Sequence, residues 1–88
     1  MSQGVNLAMR LTLYGRADCH LCHEMRAVVD AVRREIGFEL EELDVDQDPV
    51  LVAAYGEEVP VLLVNGRKAF KYRVTPRDLR VRLGREGV

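Results

Sequence analysis

At 88 residues and a net charge of −1, the chain has room for one domain and no global field to hold it on nucleic acid or an anionic membrane. Hydrophobic residues at 48% with charged residues at 31% give a globular composition rather than a disordered one. The apolar runs are a few residues long, which excludes a membrane-spanning helix. Residues 1–88 are therefore read as a single domain with its core at about 10–84, monomeric, with neither nucleic acid nor membrane as partner.

In chain order, Met1 to Arg10 shows no apolar h-region, so no signal peptide is expected and the chain is read as cytoplasmic. Leu11-Thr12-Leu13-Tyr14 alternates and is rich in strand formers, ending at Gly15. A helix is predicted from His20 to Ile36. Cys22, Met25, Val29, Val32 and Ile36 fall at helical spacing and make one apolar stripe, and Gly37 is placed to end it. Phe38 to Val45 reads as a second strand. Its acidic residues suit a sheet edge, where charge discourages pairing with another chain.

Asp48-Pro49 is a helix cap followed by proline at the first helical position, and a short helix to Tyr55 follows, closed by Gly56. Val61-Leu62-Leu63-Val64 is a continuous apolar run, as expected for a strand covered on both faces. Asn65-Gly66 signals a tight hairpin, with Arg67 to Tyr72 as the returning strand. Thr75-Pro76-Arg77-Asp78 starts a last helix with Asp78 at the capping-box position, Leu79 and Leu83 as anchors and Gly84 as its end. The order β-α-β-α-β-β-α makes the first two strands parallel and the last two an antiparallel hairpin. That is an α/β fold, a four-stranded mixed sheet with helices on both faces.

Charge is segregated. Residues 1–34 carry five basic and three acidic side chains, residues 35–58 nine acidic and none basic, and residues 59–88 eight basic and two acidic. Two oppositely charged, solvated faces that attract each other in the fold account for this. A basic C-terminal surface that docks an acidic partner is the alternative.

Cys19 and Cys22 are the only cysteines, two residues apart. A bridge across so small a loop constrains the unfolded chain little, so structural stapling explains it poorly. In a reducing compartment such pairs are catalytic. Cys19 stands at the start of the long helix, where unpaired N–H groups and the positive dipole end favour an anion. A thiol so placed has its pKa lowered into a range of about 3.5–7.5. Cys22 lies one turn on, within the apolar stripe. The asymmetry suits an attacking Cys19 and a resolving Cys22.

The neighbours tune the pair. Protonated His20 would favour the thiolate; otherwise it is a solvent-facing residue at a helix start. Asp18 raises the thiol pKa as a nearby carboxylate, or serves as the helix cap. Arg16 offsets Asp18, binds a substrate carboxylate, or is a plain surface charge. Pro60, after Val59, removes a donor at the start of the apolar strand and is a position where a cis bond is accessible.

Other chemistries are available to the same residues. Cys19-His20-Leu21-Cys22-His23 fits the spacing for covalent haem. The cysteines and histidines also offer metal-ligand types, although neighbours on a helix point apart and cannot easily wrap one zinc ion. No metal site is assigned within the single chain. A cluster shared between two chains is the alternative function, an iron–sulfur or other metal-binding protein without turnover. A third possibility is an adaptor that holds a partner without chemistry.

Leu13-Tyr14-Gly15-Arg16-Ala17-Asp18-Cys19-His20-Leu21-Cys22, followed by Val59-Pro60-Val61-Leu62-Leu63-Val64-Asn65-Gly66, resembles the glutaredoxins of the thioredoxin superfamily. The Cys-His-Leu-Cys variant and the Asp44-Val45-Asp46 exit of the second strand are most similar to the small bacterial glutaredoxin-like proteins. The resemblance implies a three-layer thioredoxin-like fold and a thiol–disulfide oxidoreductase. It implies that Pro60 is cis and faces the disulfide, and that the Val59 backbone pairs with an incoming peptide or glutathione. Arg16 falls where glutaredoxins often have a lysine that contacts glutathione. The substrate implied is a protein disulfide or a small thiol, the electron source glutathione or a thioredoxin-reductase-type protein. No bound cofactor is needed. The chain departs from glutaredoxins in two places. Glu58 stands where they usually have threonine, and Lys71-Tyr72-Arg73-Val74-Thr75 lacks their usual glycine pair.

Overall fold

The computed structural model describes residues 9–86. Four strands, β1 (Arg10–Gly15), β2 (Glu39–Asp44), β3 (Val61–Val64) and β4 (Arg67–Lys71), form one sheet in the order β2-β1-β3-β4. The helices are α1 (His20–Ile36), α2 (Pro49–Tyr55) and α3 (Pro76–Glu86). β1 runs parallel to β2 and antiparallel to β3, and β3 and β4 are antiparallel. This is the mixed four-stranded α/β arrangement anticipated from the order of elements, with β2 at the edge its charges suggested. The reading of the N-terminal segment before Met9 as lacking a leader lies outside the described residues.

The sheet sorts its side chains by alternation. Leu11 and Leu13 of β1 pair with Val64 and Leu62 of β3. All four point to one face, where Met25, Val29 and Val32 of α1 and Leu79 and Leu83 of α3 complete a core closed by Phe38. Val61 and Leu63 point to the other face and are also buried. There α2 brings Tyr55 onto Tyr14 of β1, the rings stacked with centroids 4.4 Å apart. β3 is therefore apolar at every position because both of its faces are covered.

Local signals explain the boundaries. Gly37 takes φ 79° at the end of α1, and its N–H bonds Arg33 O at 2.9 Å. Asn65 and Gly66 adopt φ 51° and 83°, as the hairpin turn requires. The Asp48 carboxylate accepts from Val50 N–H at 2.9 Å, capping α2, and Thr75 Oγ1 accepts from Asp78 N–H at 3.0 Å, capping α3. Several boundaries differ from expectation. β1 begins at Arg10 rather than Leu11, and β2 at Glu39 rather than Phe38. Val45 leaves the second strand for a 3-10 turn, Val45–Gln47, whose N–H at Asp46 is taken by the Asp44 side chain. Tyr72 falls outside β4 because its φ is +70°. Gly84 does not end α3, which continues to Glu86. Its surroundings are open, and the Arg82–Glu86 pair at 3.2 Å spans it one helical turn apart.

Candidate active site at the start of the long helix

The loop after β1 turns into α1 at Cys19, which takes φ −113°, ψ 113° and is itself the helix cap. Cys19 Sγ accepts the backbone N–H of Cys22 at 3.1 Å, and Cys19 O accepts the N–H of His23 at 3.2 Å. The sulfur thus satisfies a donor that the helix start leaves unpaired, and no acidic residue stands in the first turn to oppose an anion there. The cap assignment corrects the reading of Asp18 as cap. Asp18 precedes the cap and is exposed, because the chain becomes helical one residue later.

Cys19 and Cys22 are joined as a disulfide with Cα atoms 5.2 Å apart. Cys22 is buried at 6% exposure, whereas Cys19 is half-buried. Among the described residues no group of three or more His, Cys, Asp and Glu is arranged to hold a metal ion.

Gly15 backs the disulfide. A Cβ there would lie 3.2 Å from both Cβ and Sγ of Cys22, so the strand end and the buried cysteine meet more closely than a Cβ ordinarily packs. The sequence marked Gly15 as the end of a strand and gave no sign of this approach. His23, which the sequence offers only as a haem or metal ligand, has a structural task instead. It is exposed, and its Nε2–H donates to Ala17 O at 2.9 Å, which fastens the loop before Cys19 onto the helix.

The remaining candidates divide between two sides. Arg16 lies on the β2 side, where its Nε donates to Asp46 Oδ1 at 3.1 Å. It lines a cleft of about 340 Å3 with Gly15, Cys22, His23, Glu42 and Asp44. His20 points away from that cleft into solvent at 87% exposure, its Nε2 2.7 Å from Glu24 Oε2. The other oxygen of Glu24 accepts from Arg73 Nη1 at 3.4 Å. Glu24 therefore links the first turns of α1 to the segment between β4 and α3.

Val59 and Pro60 arrive from the sheet. Tyr14 pairs with Val61, which brings Pro60 to the end of the sheet where Gly15 meets Cys22. The Val59–Pro60 peptide is cis and Pro60 is buried. Pro60 O accepts the N–H of Tyr72 at 2.8 Å. Val59 is half-buried, and its backbone N–H and C=O bond no backbone group among the described residues. A cysteine pair at a helix start beside a short stretch of unpaired backbone is an arrangement that can bind an extended chain and exchange its disulfide.

Comparison with known proteins agrees with this geometry. Residues 10–84 match the family described as Glutaredoxin-like domain (DUF836). The chain is 36% identical to protein XcR50 of X. campestris, with a TM-score of 0.70, 85% of this chain and 96% of that one being covered. It is 30% identical to protein Ne2328 of Nitrosomonas europaea, with a TM-score of 0.73 and coverage of 93% and 98%. It is also 30% identical over 81 residues to the uncharacterised protein Rv0508 of Mycobacterium tuberculosis, covering 86% of this chain and 84% of that one. A chloroplastic thioredoxin z shares the fold at 13% identity, with a TM-score of 0.74 over 88% of this chain and 76% of that one.

Proposed function

The chain belongs to the glutaredoxin-like domain family, and from that membership we propose that it is a thiol–disulfide oxidoreductase in which Cys19 attacks and Cys22 resolves. The observation that carries the reading is the Cys19 Sγ at the cap of α1, accepting the Cys22 N–H at 3.1 Å beside a buried Cys22. In the reduced protein the same N–H and the helix dipole stabilise a Cys19 thiolate. Cys22, shut into the apolar stripe, stays protonated until it is needed.

The Cys19 thiolate attacks one sulfur of a substrate disulfide, forms a mixed disulfide and expels the other sulfur as a thiolate. Cys22 gives up its proton, attacks Cys19 Sγ and releases the second substrate sulfur. The substrate gains two electrons, and the protein is left as the Cys19–Cys22 disulfide. Glutathione or a protein dithiol of the reductase type then supplies two electrons to restore the pair. The Val59 backbone, with no backbone partner among the described residues, supports binding of the substrate as an added strand. A disulfide that turns over in this way suits the cytosol, where stable ones are rare.

The test uses single-cysteine variants. Cys19→Ser should abolish reduction of disulfide substrates, whereas Cys22→Ser should accumulate a mixed disulfide visible by intact mass. Full activity of Cys19→Ser on small disulfides would sink the mechanism.

A further inference from the structure

Tyr72 is held in a backbone conformation that its residue type resists. Among the described non-glycine residues only Asn65 and Tyr72 have positive φ, 51° and 70°. Asn65 belongs to a hairpin turn that demands it. Tyr72 has no such excuse, since β4 has already ended and Thr75 caps α3. The N–H of Arg73 bonds Lys71 O at 2.8 Å across it, making a tight three-residue turn of the strained, positive-φ kind. For a bulky residue this is an outlier, and such outliers gather at ligand clamps.

The same residue is tied at both ends to the segment beside the disulfide. Its N–H bonds Pro60 O at 2.8 Å, and its hydroxyl lies 3.5 Å from Glu57 O. The side chain therefore runs alongside Glu58 and Val59. The residue remains 42% exposed, with Lys71 Nζ 5.4 Å from the ring centroid. We propose that Tyr72 is a specificity-determining residue, an aromatic platform for the polypeptide that flanks a substrate disulfide, so that the site takes peptide and protein disulfides in preference to glutathione.

The proposal rests on the oxidoreductase reading and names its substrate class. A chain paired with Val59 as an added strand presents alternate side chains to either flank. Tyr72 offers one of them a rigid apolar face at small entropic cost. Glutathione gains less. It carries two carboxylates and one ammonium group at neutral pH. The groove that Tyr72 shares with α1, about 360 Å3, holds Glu24 and Asp78 against Arg73, and Arg73 is already engaged by Glu24. Lys71 beside the ring is likewise held, by Glu58 at 4.0 Å, so both cations next to Tyr72 are already engaged when the anionic tripeptide arrives.

The experiment compares single-turnover oxidation of the reduced protein by two probes, the disulfide dimer of an uncharged cysteine octapeptide and oxidised glutathione. The wild type should react faster with the peptide dimer. Tyr72→Gly, which suits the positive φ, should slow that reaction about tenfold and leave the glutathione reaction within about twofold. Its thermal midpoint should fall by no more than about 4 °C. Tyr72→Phe should keep the peptide rate. Equal slowing on both probes, or no slowing on the peptide, would overturn the proposal while the oxidoreductase reading stands. A wild type that reacts with neither probe overturns both.

Discussion

A Cβ added to Gly15 would meet Cβ and Sγ of Cys22 at 3.2 Å. Gly15→Ala forces a contact tighter than ordinary packing against a buried sulfur and should cost about 1–3 kcal/mol. Urea unfolding reads this directly, and an unchanged midpoint would mean that Cys22 moves aside freely. At this scale the sequence revealed much of the site and hid the rest for definable reasons. Helical spacing alone put Cys22 on the buried stripe and left Cys19 at the helix start. It could not say whether Asp18 or Cys19 makes the cap. Aspartate is the better cap former, but the frame is set by where the loop meets the helix, and the His23–Ala17 hydrogen bond fastens that junction. Nothing in a tyrosine codon marks the left-handed conformation of Tyr72, so its strain was invisible before the structure.

α3 is held by two fully buried side chains, Leu79 and Leu83, while Val81 between them is half exposed. Leu79→Ala should cost about 2–5 kcal/mol, the range for leucine lost from a packed core. Gly84 offers the opposite change. It sits inside this helix with nothing within 4 Å of where a Cβ would stand, so Gly84→Ala should stabilise by about 1 kcal/mol and raise the thermal midpoint by about 4–8 °C. A lower midpoint would show that the glycine serves a contact the helix needs. Glycine read in sequence is a stop signal, and that rule served at Gly37. It failed at Gly84 because the Arg82–Glu86 pair carries the helix onward, a pairing that only the folded turn brings together. The hairpin was legible because Asn65-Gly66 encodes its own turn chemistry. The 3-10 turn at Val45–Gln47 was not, because an acidic strand exit gives no periodicity to follow.

Across the whole molecule the acidic middle third is clasped by its basic flanks. Glu39 meets Arg10, Glu42 meets Arg26 and Asp46 meets Arg16 on the N-terminal side. Glu35 meets Arg80 and Glu58 meets Lys68 on the C-terminal side. These are surface pairs, each of small worth, yet they give acid sensitivity a definite sign. The hydrogen bond and charge of Arg80 hold Glu35 below its ordinary value of 4.5, and Lys68 does the same to Glu58. Asn65 and Arg82 lower Glu86. Carboxylates depressed in the fold stabilise it fully above their unfolded values, and that stability is lost as pH falls through the folded ones. Stability should therefore drop as pH falls below the ordinary carboxylate value of 4.5, and Glu35→Gln combined with Glu58→Gln should flatten that drop in urea titrations. At the alkaline end, burial and the neighbouring Tyr55 and Glu41 hold Tyr14 above its ordinary 10.0. The fold keeps that proton, so stability declines as pH rises past 10. The placement of β3 between β1 and β4 also bears on how the protein is made. On the ribosome, β1, both cysteines and β2 emerge before Val59 and Pro60 exist. A nascent chain therefore presents both cysteines before Val59 and Pro60 are made, and the proposed site is whole only when the last third of the polypeptide arrives.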